Sequence, residues 1–81
     1  MTQTELVLNH MLTGNEISQR IAERKYGIGR LASRICDICK MGYPVKRELR
    51  NVQKSNGEQA RVTFYWFDKE TLDDWKKGRA D

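Results

Sequence analysis

The sequence predicts a mainly helical α+β fold in which three helices precede a β-hairpin and a short fourth helix follows it. Two observations support this prediction. Apolar residues recur at helical spacing as far as about residue 41, and beyond Pro44 the residues alternate with the period of a strand. The pair Asn56-Gly57, which favours tight turns, then divides the alternating stretch. We expect one domain over residues 1–81, with a core at about 4–67 and a C-terminal helix and tail at 68–81.

The first two helices are predicted from their apolar spacing and their end signals. Helix 1 covers about residues 4–12, where leucine, valine and methionine recur at helical spacing behind a threonine cap. Ser18 is a good N-cap for helix 2, and Gly27 favours the left-handed backbone that ends a helix. A glycine-containing bridge of two residues then leads to helix 3, so a tight turn joins the second and third helices.

The third helix is predicted from about Gly29 or Arg30 to Met41. Leu31, Ile35 and Ile38 lie at positions i, i+4 and i+7 and predict a buried stripe along one face. A glycine at position 42 and a proline at 44 end the helix.

Two cysteines, Cys36 and Cys39, flank this stripe. A zinc site needs two further ligands, and the only other soft donor is His10, far upstream. A redox pair favours an exposed helix N-terminus, whereas these residues lie well inside the helical pattern. We expect buried or half-buried packing cysteines in preference to metal or redox chemistry.

The hairpin is predicted from two alternating stretches. In the first, Val45, Arg47 and Leu49 form a partly apolar face. The second covers about residues 60–67 and ends in an aromatic run, which we expect to pack in the core rather than to stack on unpaired bases.

The fourth helix is predicted at about residues 68–78. Asp68 or Thr71 can cap it, and acidic residues follow early, where they complement the helix dipole. Leu72 and Trp75, three positions apart, are expected to dock it on the rest of the fold.

The positive charge is concentrated in the middle of the chain. The whole sequence carries a formal charge of +4, but residues 19–61 hold eleven Lys or Arg against four Asp or Glu. Such a concentration suits a surface that binds a polyanion, although charge alone does not distinguish DNA, RNA and an acidic protein.

The order helix, helix, tight turn, helix and hairpin is that of a winged helix-turn-helix, with the hairpin as the wing. In this arrangement the third helix enters the major groove, and neighbouring elements hold the phosphates. On helix 3, arginine can read guanine and serine can bond to base or phosphate, while Asp37 could accept from cytosine or orient an arginine. The predicted DNA-binding residues are Gln19, Arg20, Arg30, Ser33, Arg34, Asp37, Lys40, Lys46, Arg47, Arg50, Lys54, Asn56 and Arg61.

A solvated helix face and an edge strand protected by cations are the alternatives to DNA contact for these residues. The turn, the wing and the local charge together favour DNA contact.

Two stretches of the sequence, YGIGRLASRI at 26–35 and KMGYPV at 40–45, resemble a family of small winged helix-turn-helix proteins encoded mainly by bacteriophages and prophages. The resemblance extends over roughly residues 6–66 and does not include the C-terminal tail or the cysteine pair. It implies that Ser18 begins helix 2, that residues 30–40 belong to the recognition helix, and that Pro44 and Val45 open the wing. It also implies DNA binding.

These observations predict a non-enzymatic protein that binds double-stranded DNA, without a cofactor or a metal, in transcriptional or recombination regulation. His10 lies in helix 1 with no nucleophile beside it, so a structural role is favoured over a general base. No apolar run approaches the length of a membrane span, and no secretory signal is visible, so a cytoplasmic protein is expected. The alternative is a protein-interaction module that modulates a host protein; a homodimer is a further possible assembly.

Overall fold

The structure is a computed structural model that describes residues 2–80, and the side chains of residues 2–75. All four predicted helices and the predicted hairpin are present. In chain order the elements are α1 (Gln3–Leu12), β1 (Ile17–Ser18), α2 (Gln19–Tyr26), α3 (Leu31–Lys40), β2 (Lys46–Gln53), β3 (Gln59–Trp66) and α4 (Lys69–Ala80).

Local side-chain hydrogen bonds set the helix ends. Thr2 and Glu5 form a reciprocal capping box at the start of α1: the Glu5 N–H donates to the Thr2 hydroxyl at 3.1 Å, and the Thr2 N–H donates to the Glu5 carboxylate at 3.2 Å. The hydrogen bond from the Thr2 backbone N–H to the carboxylate, followed by that from the Thr2 side chain, lowers the pKa of Glu5. Ser18 caps α2, and Gly27 ends it with a φ of +67°, as predicted.

The core lies where α1, α2 and α3 meet the base of the sheet. The predicted α3 stripe is buried, and it packs with apolar residues of α1 and β1 and of the turn before α3. The buried set is Val7, Met11, Leu12, Ile17, Ala22, Ile28, Leu31, Ile35, Ile38 and Phe67.

His10 is a buried structural histidine. Its Nε2 donates to the Glu16 carbonyl at 2.9 Å, and its Nδ1 lies 2.8 Å from the Tyr26 hydroxyl. The carbonyl oxygen can only accept a hydrogen bond, which makes Nε2 the donor. The two contacts connect α1 to α2 and to the loop before β1.

The sheet has three antiparallel strands in the order β1-β3-β2. In the hairpin, the pairs run from Lys46 opposite Trp66 to Gln53 opposite Gln59. The short strand β1 pairs Ile17 with Tyr65 on the other edge of β3. The sequence analysis missed β1, because two residues are too few to show an alternation.

The expected partly apolar face is covered at Val45, which packs against the core, but the expectation is wrong for Leu49. Leu49 is 56% exposed, whereas Arg50 and Val52, which point to the other side of the strand, are half-buried. On the side of the sheet that carries Leu49, the central strand β3 faces the starts of α2 and α3 across a cleft, whereas Leu49 lies on the edge strand β2 and remains exposed. The long axis of the molecule measures 50 Å against 25 and 19 Å for the others, consistent with a projecting hairpin.

The expected burial of the cysteines is also wrong: Cys36 and Cys39 are both exposed and not disulfide-bonded. The helix buries only the narrow stripe formed by Leu31, Ile35 and Ile38. Residues that flank such a stripe reach solvent when no further element covers the helix.

The fourth helix docks on the core as predicted. The Asp68 carboxylate accepts a hydrogen bond from the Thr71 N–H at 2.8 Å, and Leu72 and Trp75 pack against the buried cluster. The predicted core role of the aromatic run is confirmed for Phe67, which is buried and stacks on Tyr43 with ring centroids 5.5 Å apart.

Candidate nucleic-acid interface

The turn between α2 and α3 is held by one side chain from the first turn of α2. The Gln19 amide oxygen accepts from the Leu31 N–H at 2.9 Å, and its nitrogen donates to the Ile28 carbonyl at 3.0 Å. Leu31 is the first residue of α3, where backbone N–H groups lack helical partners, and the N-cap Arg30 supplies no side-chain cap. The side-chain amide of Gln19, which was predicted to contact DNA, therefore bonds within the protein and fixes the start of α3.

The outward face of α3 is formed by Ser33, Cys36 and Lys40, at i, i+3 and i+7, with Arg30 at the N-terminal end. All four residues are exposed. This face lies opposite the buried stripe, so it can approach a groove without disturbing the core. Three of the four were predicted to bind DNA, and Cys36 was not.

Arg34 and Asp37 lie to one side of this face and are only partly exposed. The Arg34 Nη1 is 3.8 Å from the Asp37 carboxylate, which also accepts from the Thr4 hydroxyl of α1 at 3.3 Å. The Arg34 Nε is buried and has no hydrogen-bond partner among the described residues. Asp37 thus links α1 to Arg34, which agrees with the predicted orienting role.

The cations of the wing do not form one cluster, because successive residues of a strand point to opposite sides. The register places Arg47 and Arg61 on the same side as Ile17 and Tyr65. We call this the α3 side of the hairpin, since Tyr65 and Arg61 share a cleft with α3. Lys46 and Arg50 point to the opposite side, which we call the far side.

Arg50 is held by contacts within the protein. Its guanidinium lies over the rings of Phe64, at 4.8 Å, and Trp66, at 5.3 Å, and it pairs with Glu48 at 3.1 Å and Glu16 at 2.5 Å. The hydrogen bond to Glu48, followed by that to Glu16, raises the pKa of Arg50. The structure therefore gives Arg50, a predicted DNA contact, a role in joining the wing to the loop before β1.

Backbone hydrogen bonds and one side chain shape the tip of the wing. The Lys54 N–H donates to the Glu58 carbonyl at 2.7 Å, and the Asn56 side-chain oxygen accepts from the Glu58 N–H at 3.1 Å. Gly57 has a φ of +86°, which its lack of a Cβ permits. Asn56 thus stabilises the turn, and the Lys54 side chain remains exposed.

A cleft of about 380 Å³ separates the starts of α2 and α3 from β3. Arg20 and Arg61 line it from opposite walls, and Leu31 and Ala32 of α3 lie between them. Ala32, an exposed α3 residue next in the chain to Ser33, lines the cleft opposite Tyr65 and Arg61 of β3, so the cleft lies beside the outward face of α3. The described lining holds these two arginines and one acidic residue, Glu23, so its net charge is positive and suits a phosphate group.

Two features of this surface were missed by sequence reasoning. The exposure of Cys36 could have been inferred, because at 3.6 residues per turn it lies about 130° from the middle of the narrow apolar stripe, whereas Cys39 lies only about 75° from it. The internal role of Gln19 has no comparable signal, since its partner atoms are backbone groups nine and twelve residues away.

Neither metal ligands nor membrane spans stand out in the part of the chain that the structure describes. It brings together no group of three or more His, Cys, Asp or Glu side chains able to hold a metal ion. None of the helices searched is both long and apolar enough to cross a membrane.

Three helices, the tight α2–α3 turn and a hairpin beside the exposed face of α3 together define a helix-turn-helix protein with a wing. Comparison with known families agrees: the chain belongs to the winged helix-turn-helix domain family, whose profile matches residues 2–70. Domains of this kind are generally DNA-binding modules rather than enzymes. No curated protein matches the chain.

Proposed function

We propose that this protein binds double-stranded DNA with α3 in the major groove and the α3 side of the hairpin along the phosphate backbone. The observation that carries the proposal is the cleft that places Arg61, on the α3 side of the hairpin, beside Ala32, the α3 residue next to Ser33 of the outward face. One surface therefore offers both groups that can reach base edges and groups that can hold phosphates.

The contacts divide by position. Arg30 and Ser33 lie at the N-terminal end of α3, the part of a recognition helix that usually reaches base edges. Lys40 lies two turns further on, and Arg20 and Arg61 flank the cleft, so these three cations suit phosphates. Arg34, oriented by Asp37, is a second candidate reader. Lys46 and Lys54 contribute less to the same interface. Gln19, Arg50 and Asn56 stabilise the interface through hydrogen bonds and ion pairs within the protein.

The biological setting we propose is transcriptional or recombination regulation in the cytoplasm of a bacterial or phage-infected cell. The resemblance of residues 26–35 and 40–45 to phage and prophage proteins supports this setting. A single module of this size covers few base pairs, so tight specific binding calls for a dimer or tandem sites.

A titration with duplex DNA at several salt concentrations tests the proposal. About six phosphate contacts predict a log–log slope of affinity against salt of roughly −5. Absence of binding even at about 50 mM salt would reject DNA as the ligand and favour the alternative function, a protein-interaction module. A non-basic protein of similar size serves as the control for adsorption.

A further inference from the structure

The far side of the hairpin carries an apolar groove whose floor the DNA-binding proposal does not use, although two residues of its rim, Arg20 and Lys54, also belong to that proposal. The groove has a volume of about 580 Å³ and lies between α2 and the outer half of the wing. Its described lining residues come from β1, α2, the hairpin and its turn, and none comes from α3. We call it the α2–hairpin groove; it is lined by Ser18, Arg20, Ile21, Arg24, Val52, Lys54, Ser55, Asn56, Ala60, Val62 and Phe64.

The floor of the groove is apolar and incompletely covered. Val52 and Ala60 are directly paired across the hairpin, Val62 and Phe64 continue the same side of β3, and Ile21 faces them from α2. All five residues are half-buried rather than buried, so each retains some apolar surface that a partner could cover.

The rim of the groove is cationic. Arg20, Arg24 and Lys54 line it and are exposed, and the lining residues that the structure describes include no acidic side chain. Glu48 lies on the same side of the hairpin further toward its base, but its carboxylate is paired with Arg50. The rim charge is therefore not offset by that neighbour.

We propose that the α2–hairpin groove receives an acidic segment of a partner protein that carries large apolar side chains. The cationic rim favours acidic residues in the partner by charge complementarity, and the uncovered apolar floor favours apolar side chains in the partner. A phosphate backbone would match the rim, but it has no side chains to fill the floor. Because α3 lies on the other side of the sheet, its outward face stays open, whereas DNA and the partner would compete for Arg20 and Lys54.

A designed peptide provides the probe: fifteen residues that alternate Asp or Glu with Leu or Phe. Two control peptides replace the acids with lysine or the apolar residues with serine. Binding is followed by backbone amide shifts of isotope-labelled protein. We expect the probe to shift the backbone amide signals of Ile21, Arg24, Val52, Ala60 and Val62 while those of α3 stay unaffected. Both control peptides should bind at least several-fold more weakly.

A matched pair of charge reversals on α2 locates the site. Arg24→Glu reverses a rim charge, whereas Lys25→Glu makes the same change at the next exposed residue, which does not line the groove. We expect Arg24→Glu to weaken the affinity for the probe peptide by about five-fold and Lys25→Glu to change that affinity by less than about two-fold. Both positions are exposed, so both variants are expected to fold, and circular dichroism checks this.

Four outcomes would overturn the proposal: no binding at millimolar peptide, shifts centred on α3, equal loss in both variants, or equal binding of the control peptides. Concentration-dependent dimerisation that Arg24→Glu abolishes, measured by sedimentation, would instead assign the groove to a second copy of the chain. The salt titration with DNA is independent of these results, so the two proposals can fail separately.

Discussion

The side-chain oxygen of Gln19 accepts a hydrogen bond from the backbone N–H of Leu31 at 2.9 Å, and this bond ties the first residue of α2 to the first residue of α3. The same side chain also donates to the Ile28 carbonyl, in the middle of the turn. One amide therefore satisfies a donor and an acceptor that the tight turn would leave without helical partners. The two bonds therefore fix where α3 begins relative to α2.

Replacement of Gln19 by alanine should lower both stability and DNA affinity. Loss of the two turn bonds predicts a decrease of about 2 kcal/mol in the free energy of unfolding, measured by urea denaturation. The exposed Gln3 of α1 offers the matched control, since Gln3→Ala should stay within about 0.5 kcal/mol of the parent. Equal stability of the two variants would show that Gln19 is not needed to hold the turn.

Arg30→Ala and Arg61→Ala should affect DNA binding in different ways. A duplex selected from a random library serves as the specific site. Arg30→Ala should reduce the preference for this duplex over non-specific DNA by about 1–3 kcal/mol, because it removes a base contact. Arg61→Ala should weaken all duplexes alike and reduce the salt slope by about one unit, because it removes a phosphate contact.

Lys69, an exposed cation at the start of α4, provides the control for the loss of one charge. Lys69→Ala should change affinity by less than about two-fold. If Arg30→Ala and Arg61→Ala give the same pattern, the assignment of base and phosphate contacts is incorrect.

The exposed thiols of α3 provide a chemical test of the interface. In the folded protein, a maleimide should label both Cys36 and Cys39, as their exposure requires. In single-thiol variants, an adduct on Cys36 should reduce DNA affinity by about ten-fold, because this residue lies between Ser33 and Lys40 on the outward face. An adduct on Cys39, at the flank of that face, should have a smaller effect. The opposite order would move the DNA-binding face toward Cys39.

Acid should destabilise the protein through carboxylates that accept hydrogen bonds at helix starts. Bonds from the Thr71 side chain, and then from its backbone N–H, lower the pKa of Asp68. A carboxyl whose pKa is lower in the folded state stabilises the fold above its unfolded pKa and loses that contribution as pH falls through the folded value. Stability should therefore be level near neutral pH and fall below about pH 4.

Asp68→Asn keeps a side-chain oxygen for the Thr71 N–H but removes the titration, so its decline in acid should be shallower than that of the parent. Urea midpoints between pH 7 and pH 3 measure this slope. Asp73→Asn removes the same charge from an exposed position on the same helix and should leave the slope unchanged. A parent-like slope in Asp68→Asn would mean that other groups cause the acid loss.

Much of this architecture follows from the sequence alone. The apolar stripe of Leu31, Ile35 and Ile38, the capping residue Ser18 and the turn glycines Gly27 and Gly57 act over a few neighbouring residues, and the structure has them in the predicted places. Such short-range preferences predict each helix, the hairpin and their order, and the order identifies the fold class.

Only the tertiary structure decided which polar side chains are free to bind a ligand. Gln19 and Arg50 read in the sequence as polar surface residues, yet they bond to groups on other elements, Leu31 and Glu16 among them. The sequence pattern predicts Cys36 in the core, yet it faces solvent, because no residue among those whose side chains the structure describes covers it. The sequence determined the elements because their preferences are local, and the structure decided the available surface because exposure depends on which elements pack together.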